Sequence, residues 1–218
     1  MAAAGACGAL VEALKVAEAN HTRCFSAWAM GNLALNEECR AGLAAACACV
    51  CGVLVQALKV ADADGTRGNF SRAIGNLALG EEGRTSLAAA GACGALVEAL
   101  KVAEGDGSRG NIARAMKNLA ESEEGSAGLA AAGACGALVE ALKVAEEDDT
   151  RSNIACAMKN LANSEEGRAS LSAAGACATL EAAQHMDVCR NRSIVDALES
   201  LQPHLHQNKK IKLSHGAL

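Results

Sequence analysis

Aromatic side chains are almost missing from this chain, which has one tryptophan (Trp28), two phenylalanines (Phe25 and Phe70) and no tyrosine in 218 residues. Its core must therefore be assembled from Ala, Leu, Val, Ile, Met and Cys, and a core of such small side chains brings backbones close together. Proline is confined to Pro203, so no helix is interrupted by one before that point. Strand-favouring β-branched and aromatic residues are sparse, whereas Ala and Leu lead the helix scale, and the class is all-α. Excess positive charge is also missing. A net charge of -5 argues against a nucleic-acid ligand held through phosphates. No apolar run approaches the roughly 20 residues of a membrane span. Met1 to Leu14 lacks the basic start and apolar block of a signal peptide. These absences lead us to expect a cytoplasmic protein, with the nucleus as the second location, and no membrane span.

Eleven cysteines stand against this background. Disulfide frameworks rescue chains too short to bury a core, which this one is not, so reduced and buried thiols are expected. The stretch AAAGACGALVEALKVAE occurs at residues 2 to 18, 88 to 104 and 130 to 146, and a diverged copy spans 44 to 62. Leu10, Leu54, Leu96, Leu138 and Leu180 are equivalent, at intervals of 44, 42, 42 and 42 residues. A period near 42 excludes the 33- and 34-residue helical repeats and fits the armadillo and HEAT range.

Within the unit that is cleanest in sequence, Ser122 should cap a short helix over 123–132, which Gly133 stops. A second helix follows, with Cys135, Leu138, Val139, Leu142 and Ala145 on one stripe and the acidic turn Glu146 to Asp149 at its end. Thr150 is expected to cap the third, in which Ile154, Ala157, Met158, Leu161 and Ala162 recur at helical spacing. Three helices per unit is the armadillo pattern. Segments such as SAWAMGNLALNEECRAGLAAA and AIGNLALGEEGRTSLAAAGACGALVEAL resemble the armadillo repeats of catenins and of importin-α-type import receptors, over nearly the whole chain. The expected fold is an all-α, right-handed α-solenoid, an armadillo-type superhelix of about 42-residue three-helix repeats. Units are placed at about 2–43, 44–87, 88–129 and 130–171, with a degenerate 172–203 and a polar, basic tail over 204–218.

The third helix has a second face. Asn111, Arg114 and Asn118 lie close together around the helix, opposite Ile112, Ala115, Met116 and Leu119. Equivalent positions give Phe25, Trp28 and Asn32, then Asn69, Arg72 and Asn76, then Asn153, Cys156 and Asn160. The resemblance implies that third helices line a concave groove and that Asn32, Asn76, Asn118 and Asn160 face a bound chain. An amide suits that task, because it donates and accepts as a peptide backbone does. In import receptors a Trp four residues before the Asn completes the site, and here Trp28 with Asn32 keeps that pair. The competing use of these asparagines is a bond to the neighbouring repeat.

Other motifs have structural readings. Glu37 and Glu38, Glu81 and Glu82, Glu123 and Glu124, and Glu165 and Glu166 suit the starts of first helices. Arg23, Arg67, Arg109 and Arg151 are expected to pair with a carboxylate of a neighbouring unit. Cys7, Cys51, Cys93, Cys135 and Cys177 fall on the apolar stripe of the second helix. Alternate residues of a helix diverge, so Cys47, Cys49 and Cys51 cannot converge on zinc, and no nucleophile and base recur together; neither metal, cofactor nor enzyme activity is expected. Lys209, Lys210 and Lys212 resemble a minimal import signal but are read first as a charged, solvated tail, and the cluster also permits a tail folded into the groove.

The expected function is a scaffold or adaptor that takes an extended partner segment, with an apolar residue against Trp28 and an acid near Arg72 and Arg114. The alternative is a structural subunit using its ends and convex face. An import receptor fits least, because the segments before the Gly-Ala turn, such as Leu87 to Ala90, carry no acids for cargo lysines. Ala2 to Leu14 begins at a second helix, so self-association or a partner is expected there.

Overall fold

The computed structural model describes residues 8–10, 12–14, 16, 20–40, 47–186 and 192–201. Most of Ala2 to Leu14, together with Pro203 and the tail lysines, lies outside them. Twelve helices are named here in chain order: α1 (Asn20–Leu33), α2 (Cys47–Lys59), α3 (Asp64–Leu77), α4 (Glu81–Ala89), α5 (Ala92–Lys101), α6 (Asp106–Leu119), α7 (Glu123–Ala131), α8 (Ala134–Val144), α9 (Asp148–Leu161), α10 (Glu165–Ala173), α11 (Ala176–Met186) and α12 (Arg192–Leu201). Among the described residues there is no strand, and no single helix is long and apolar enough to cross a membrane.

The punctuation is chemical. Ser122 and Ser164 accept the main-chain N–H of Gly125 and Gly167 at 3.1 and 3.0 Å, capping α7 and α10. Asn36 accepts from Cys39 at 3.0 Å in the same position of the first unit. The paired glutamates occupy the first turns of α4, α7 and α10, where the helix dipole favours them. Between first and second helices Gly91, Gly133 and Gly175 adopt φ of 82°, 83° and 79°, the left-handed turn that other residues resist. Cys49 stands where those glycines would be, and α2 accordingly runs on to 13 residues against 10 in α5.

The stripes read from the repeat are the core. Cys135, Leu138, Val139, Leu142 and Ala145 are all buried, as are Ile154, Ala157, Met158, Leu161 and Ala162. Cys51, Cys93 and Cys135 are buried and in no disulfide, and burial pushes the Cys93 and Cys135 thiols above their ordinary pKa.

Third helices stack on third helices, in the order α1, α3, α6, α9, α12, more extensively than second helices do on one another. Small residues make this possible: a Cβ added to Gly75 would lie 3.2 Å from the Ala115 Cα, and one added to Gly31 would lie 3.5 Å from the Ala73 Cα. Between successive second helices, by contrast, open furrows of about 330, 420 and 590 Å³ remain. A stack that is tight on one side and loose on the other bends toward the tight side, so the third helices form the inner face.

Candidate functional site

The third helices α3, α6 and α9 are fastened to one another at both ends. At the C-terminal end, the closing main-chain bonds leave one carbonyl out. In α3, Ala78 N–H goes to Ile74, Leu79 to Asn76 and Gly80 to Leu77, and none reaches Gly75. Asn118 of the next unit fills that gap, its Nδ2 donating to the Gly75 carbonyl at 2.8 Å. Asn76 does the same for Gly31 at 2.6 Å, and Asn160 for Lys117 at 2.9 Å. A helix end leaves orphan carbonyls that must find donors. The repeated asparagine is therefore an interhelical cap, and Asn76 and Asn118 are only 2% and 3% exposed.

At the N-terminal end an aspartate holds the next unit. Asp64 accepts the main-chain N–H of Glu104 and Gly105, both at 3.1 Å, and Asp106 accepts those of Glu146 and Glu147, both at 2.6 Å. Burial alone would raise these carboxyls, but the hydrogen bonds and the nearby Arg67 and Arg109 hold both below the ordinary carboxylate range. Thr150, expected to cap α9, is instead the third residue of that helix, buried, with its hydroxyl donating to the Asp106 carbonyl at 3.0 Å. Ser108 makes the same bond to Asp64 at 2.9 Å.

The arginine expectation is also corrected. Arg67, Arg109 and Arg151 pair with Asp64, Asp106 and Asp148 three residues earlier in their own helices, at 3.5, 2.9 and 3.4 Å, not with a neighbouring unit. One helical turn separates the two side chains, so the local partner wins. Arg67 does touch the next unit, but through the Val102 carbonyl at 3.4 Å.

Between these fastenings lies the open inner face. Phe25 is 65% exposed and Trp28 49%, side by side along α1, while Phe70 is buried. Asn32, Asn69, Arg72, Asn111, Arg114, Asn153, Cys156 and Asn160 are partly exposed on the same face. Asn69 donates to Cys24 Sγ at 2.9 Å. Arg72 Nη2 donates to Asn32 Oδ1, and Arg114 Nη2 to Asn76 Oδ1 at 3.2 Å. Asn76 thus has both ends of its amide engaged, whereas Asn111 and Asn153 retain open amides. Burial, and then the positive charge of Arg72, lower the Arg114 pKa, although a guanidinium stays protonated in proteins. At the far end Lys159 pairs with Asp196 of α12 at 3.1 Å.

No family model matches the sequence, and no curated protein does. Solved structures do match. An engineered protein is 27% identical, with a TM-score of 0.80 over 89% of this chain and 80% of that one. The designed armadillo repeat protein YIII(Dq)4CqI is 29% identical, with a TM-score of 0.76 over 88% and 80%. The designed armadillo repeat protein YIII(Dq.V1)4CPAF, solved in complex with peptide (KR)4, is 28% identical, with a TM-score of 0.77 over the same shares. The chain has an armadillo-like repeat fold.

Proposed function

We propose that this armadillo-like array is a protein-interaction scaffold that binds an extended partner segment along its inner face, without catalysis. The observation that carries this reading is the pair Phe25 and Trp28, two of only three aromatic residues, left exposed in the one unit whose third helix combines them with Asn32. Large rigid side chains concentrate binding energy and seldom stay in water without a use. The similarity to a designed repeat protein solved with a peptide adds support. Asn111 and Asn153 offer amides to the backbone of the segment, and Asn118 and Asn160 hold the helices that present them.

The test is to recover a partner by affinity purification and measure its affinity for Trp28→Ala and Asn111→Ala, with circular dichroism confirming the fold. Trp28→Ala should cost about 2 kcal/mol or more. Unchanged affinity in both variants would favour a structural subunit that uses another surface. One observation favours that second reading: Val16, Val60, Val102 and Val144, equivalent by the repeat, are all exposed, and the last three line the second-helix furrows. Val102→Asp would then be the damaging change.

A further inference from the structure

The inner face is basic in an acidic protein. At the position of Trp28 the successive units carry Arg72, Arg114 and Cys156, and no carboxylate lies among the partly exposed residues in the middle of α3, α6 or α9. Arg40, Arg67, Arg84, Arg109, Arg151 and Arg168 all place their guanidinium groups on main-chain carbonyls or carboxylates. Arg72 and Arg114 differ, since each reaches only a neutral asparagine oxygen. The Arg114 Nε is buried without a partner, as are those of Arg67, Arg84 and Arg151, so the missing counter-charge is what sets it apart. Two half-buried cations in adjacent units, each lacking a counter-charge, are completed by an anion from outside.

Geometry sets the spacing of that anion. The backbone contact between Gly75 and Ala115 puts successive third helices near the short limit of helix packing, about 8 Å. An extended chain advances about 3.3 to 3.6 Å per residue, so one unit corresponds to about two ligand residues. Side chains two apart also point the same way in an extended chain.

We propose that the segment bound on this face carries an apolar residue against Trp28, followed at the second and fourth positions after it by carboxylates that pair with Arg72 and Arg114. This rests on the inner-face reading above and narrows it to an acidic ligand with alternate acids. Basic segments are excluded by the same two guanidinium groups.

Fluorescently labelled nine-residue peptides test it on the full chain by anisotropy, each in both chain orders. One carries a tryptophan with glutamates at the second and fourth positions after it; the others replace the glutamates by glutamines, by lysines, or by glutamates on adjacent positions. The alternate-acid peptide should bind about 10- to 100-fold more tightly than its glutamine version, and its affinity should fall with salt. Arg72→Gln and Arg114→Gln should each remove one of the two pairs, weakening the acid peptide by about 3- to 10-fold and the glutamine version by less. Both variants must retain the wild-type helical spectrum. Equal affinity of acid and glutamine peptides, tighter binding of the lysine peptide, or no advantage of alternate over adjacent acids would overturn the proposal while leaving the inner-face reading in place. Failure of the whole set to bind, with a recovered partner indifferent to Trp28→Ala, would remove both.

Discussion

Replacing Asn118 by alanine isolates the interhelical cap. The Asn118 amide is 3% exposed and supplies the donor that the Gly75 carbonyl lacks, at 2.8 Å. Truncation removes one hydrogen bond, about 0.5 to 1.5 kcal/mol, and leaves a carbonyl short of a partner, for a total of about 1 to 3 kcal/mol. A repeat array gains much of its stability from nearest-neighbour contacts, so this loss falls on the junction of α3 with α6. Urea unfolding followed by circular dichroism should show a lower midpoint, and hydrogen exchange should quicken on both sides of the junction before it does elsewhere. Asn153→Ala, on the open amide of the same face, is the control and should stay within about 0.5 kcal/mol of wild type. Equal and small effects of the two substitutions would refute the cap.

Other outcomes follow from the same contacts. Asp64 and Asp106 have folded pKa values below their unfolded ones, so their stabilisation is complete above the ordinary carboxylate pKa of 3.8 and is lost as pH falls through the folded values. Asp106→Asn should flatten that acid limb in a pH series of urea midpoints. A Cβ on Gly125 would sit 2.0 Å from the Leu119 carbonyl oxygen, so Gly125→Ala must separate α7 from α6 and should cost about 3 kcal/mol or more by calorimetry. Ellman's reagent should find Cys51, Cys93 and Cys135 only after denaturation, and the partly exposed Cys24, Cys39, Cys156 and Cys177 sooner.

The helices were legible because their signals are local. Period, apolar stripes and the Gly91, Gly133 and Gly175 stops act within a few residues of where they are written. The open face could also be drawn from Asn111, Arg114 and Asn118 by rotation about one helix. What one helix cannot reveal is which main-chain atom of its neighbour lies opposite, and the asparagine role turns on that: the donor is visible in sequence, but the skipped Gly75 carbonyl is a property of how α3 ends. Thr150 misled for a similar reason, because a hydroxyl near a helix start suits a cap until the chain enters the helix two residues earlier. The aspartate clasp did leave a trace. Asp64, Asp106 and Asp148 recur at the repeat interval, three residues before each arginine, and that spacing announces a pair within one turn.

The two fastenings explain why the inner face can serve as a binding surface while its asparagines are occupied. Asp64 ties the start of α3 to the loop before α6, and Asn118 ties the end of α6 back to α3, so this pair of third helices is fixed at two points about one helix length apart. Two points fix an angle as well as a distance, and the angle between successive third helices decides whether Trp28, Arg72 and Arg114 fall on one line. A face held this way is set before the ligand arrives, which lowers the ordering cost of binding. Removing a fastening should therefore weaken a ligand that spans two units more than one that touches a single unit. Asn76→Ala tests this directly, since it frees the junction of α1 with α3 between Trp28 and Arg72. The acid peptide with its apolar anchor should lose affinity, whereas a shortened peptide that keeps only the two acids should bind this variant as it binds the wild type. Equal losses for the two peptides would mean that the amide acts through Arg114, whose guanidinium it receives at 3.2 Å, and not through the helix it holds.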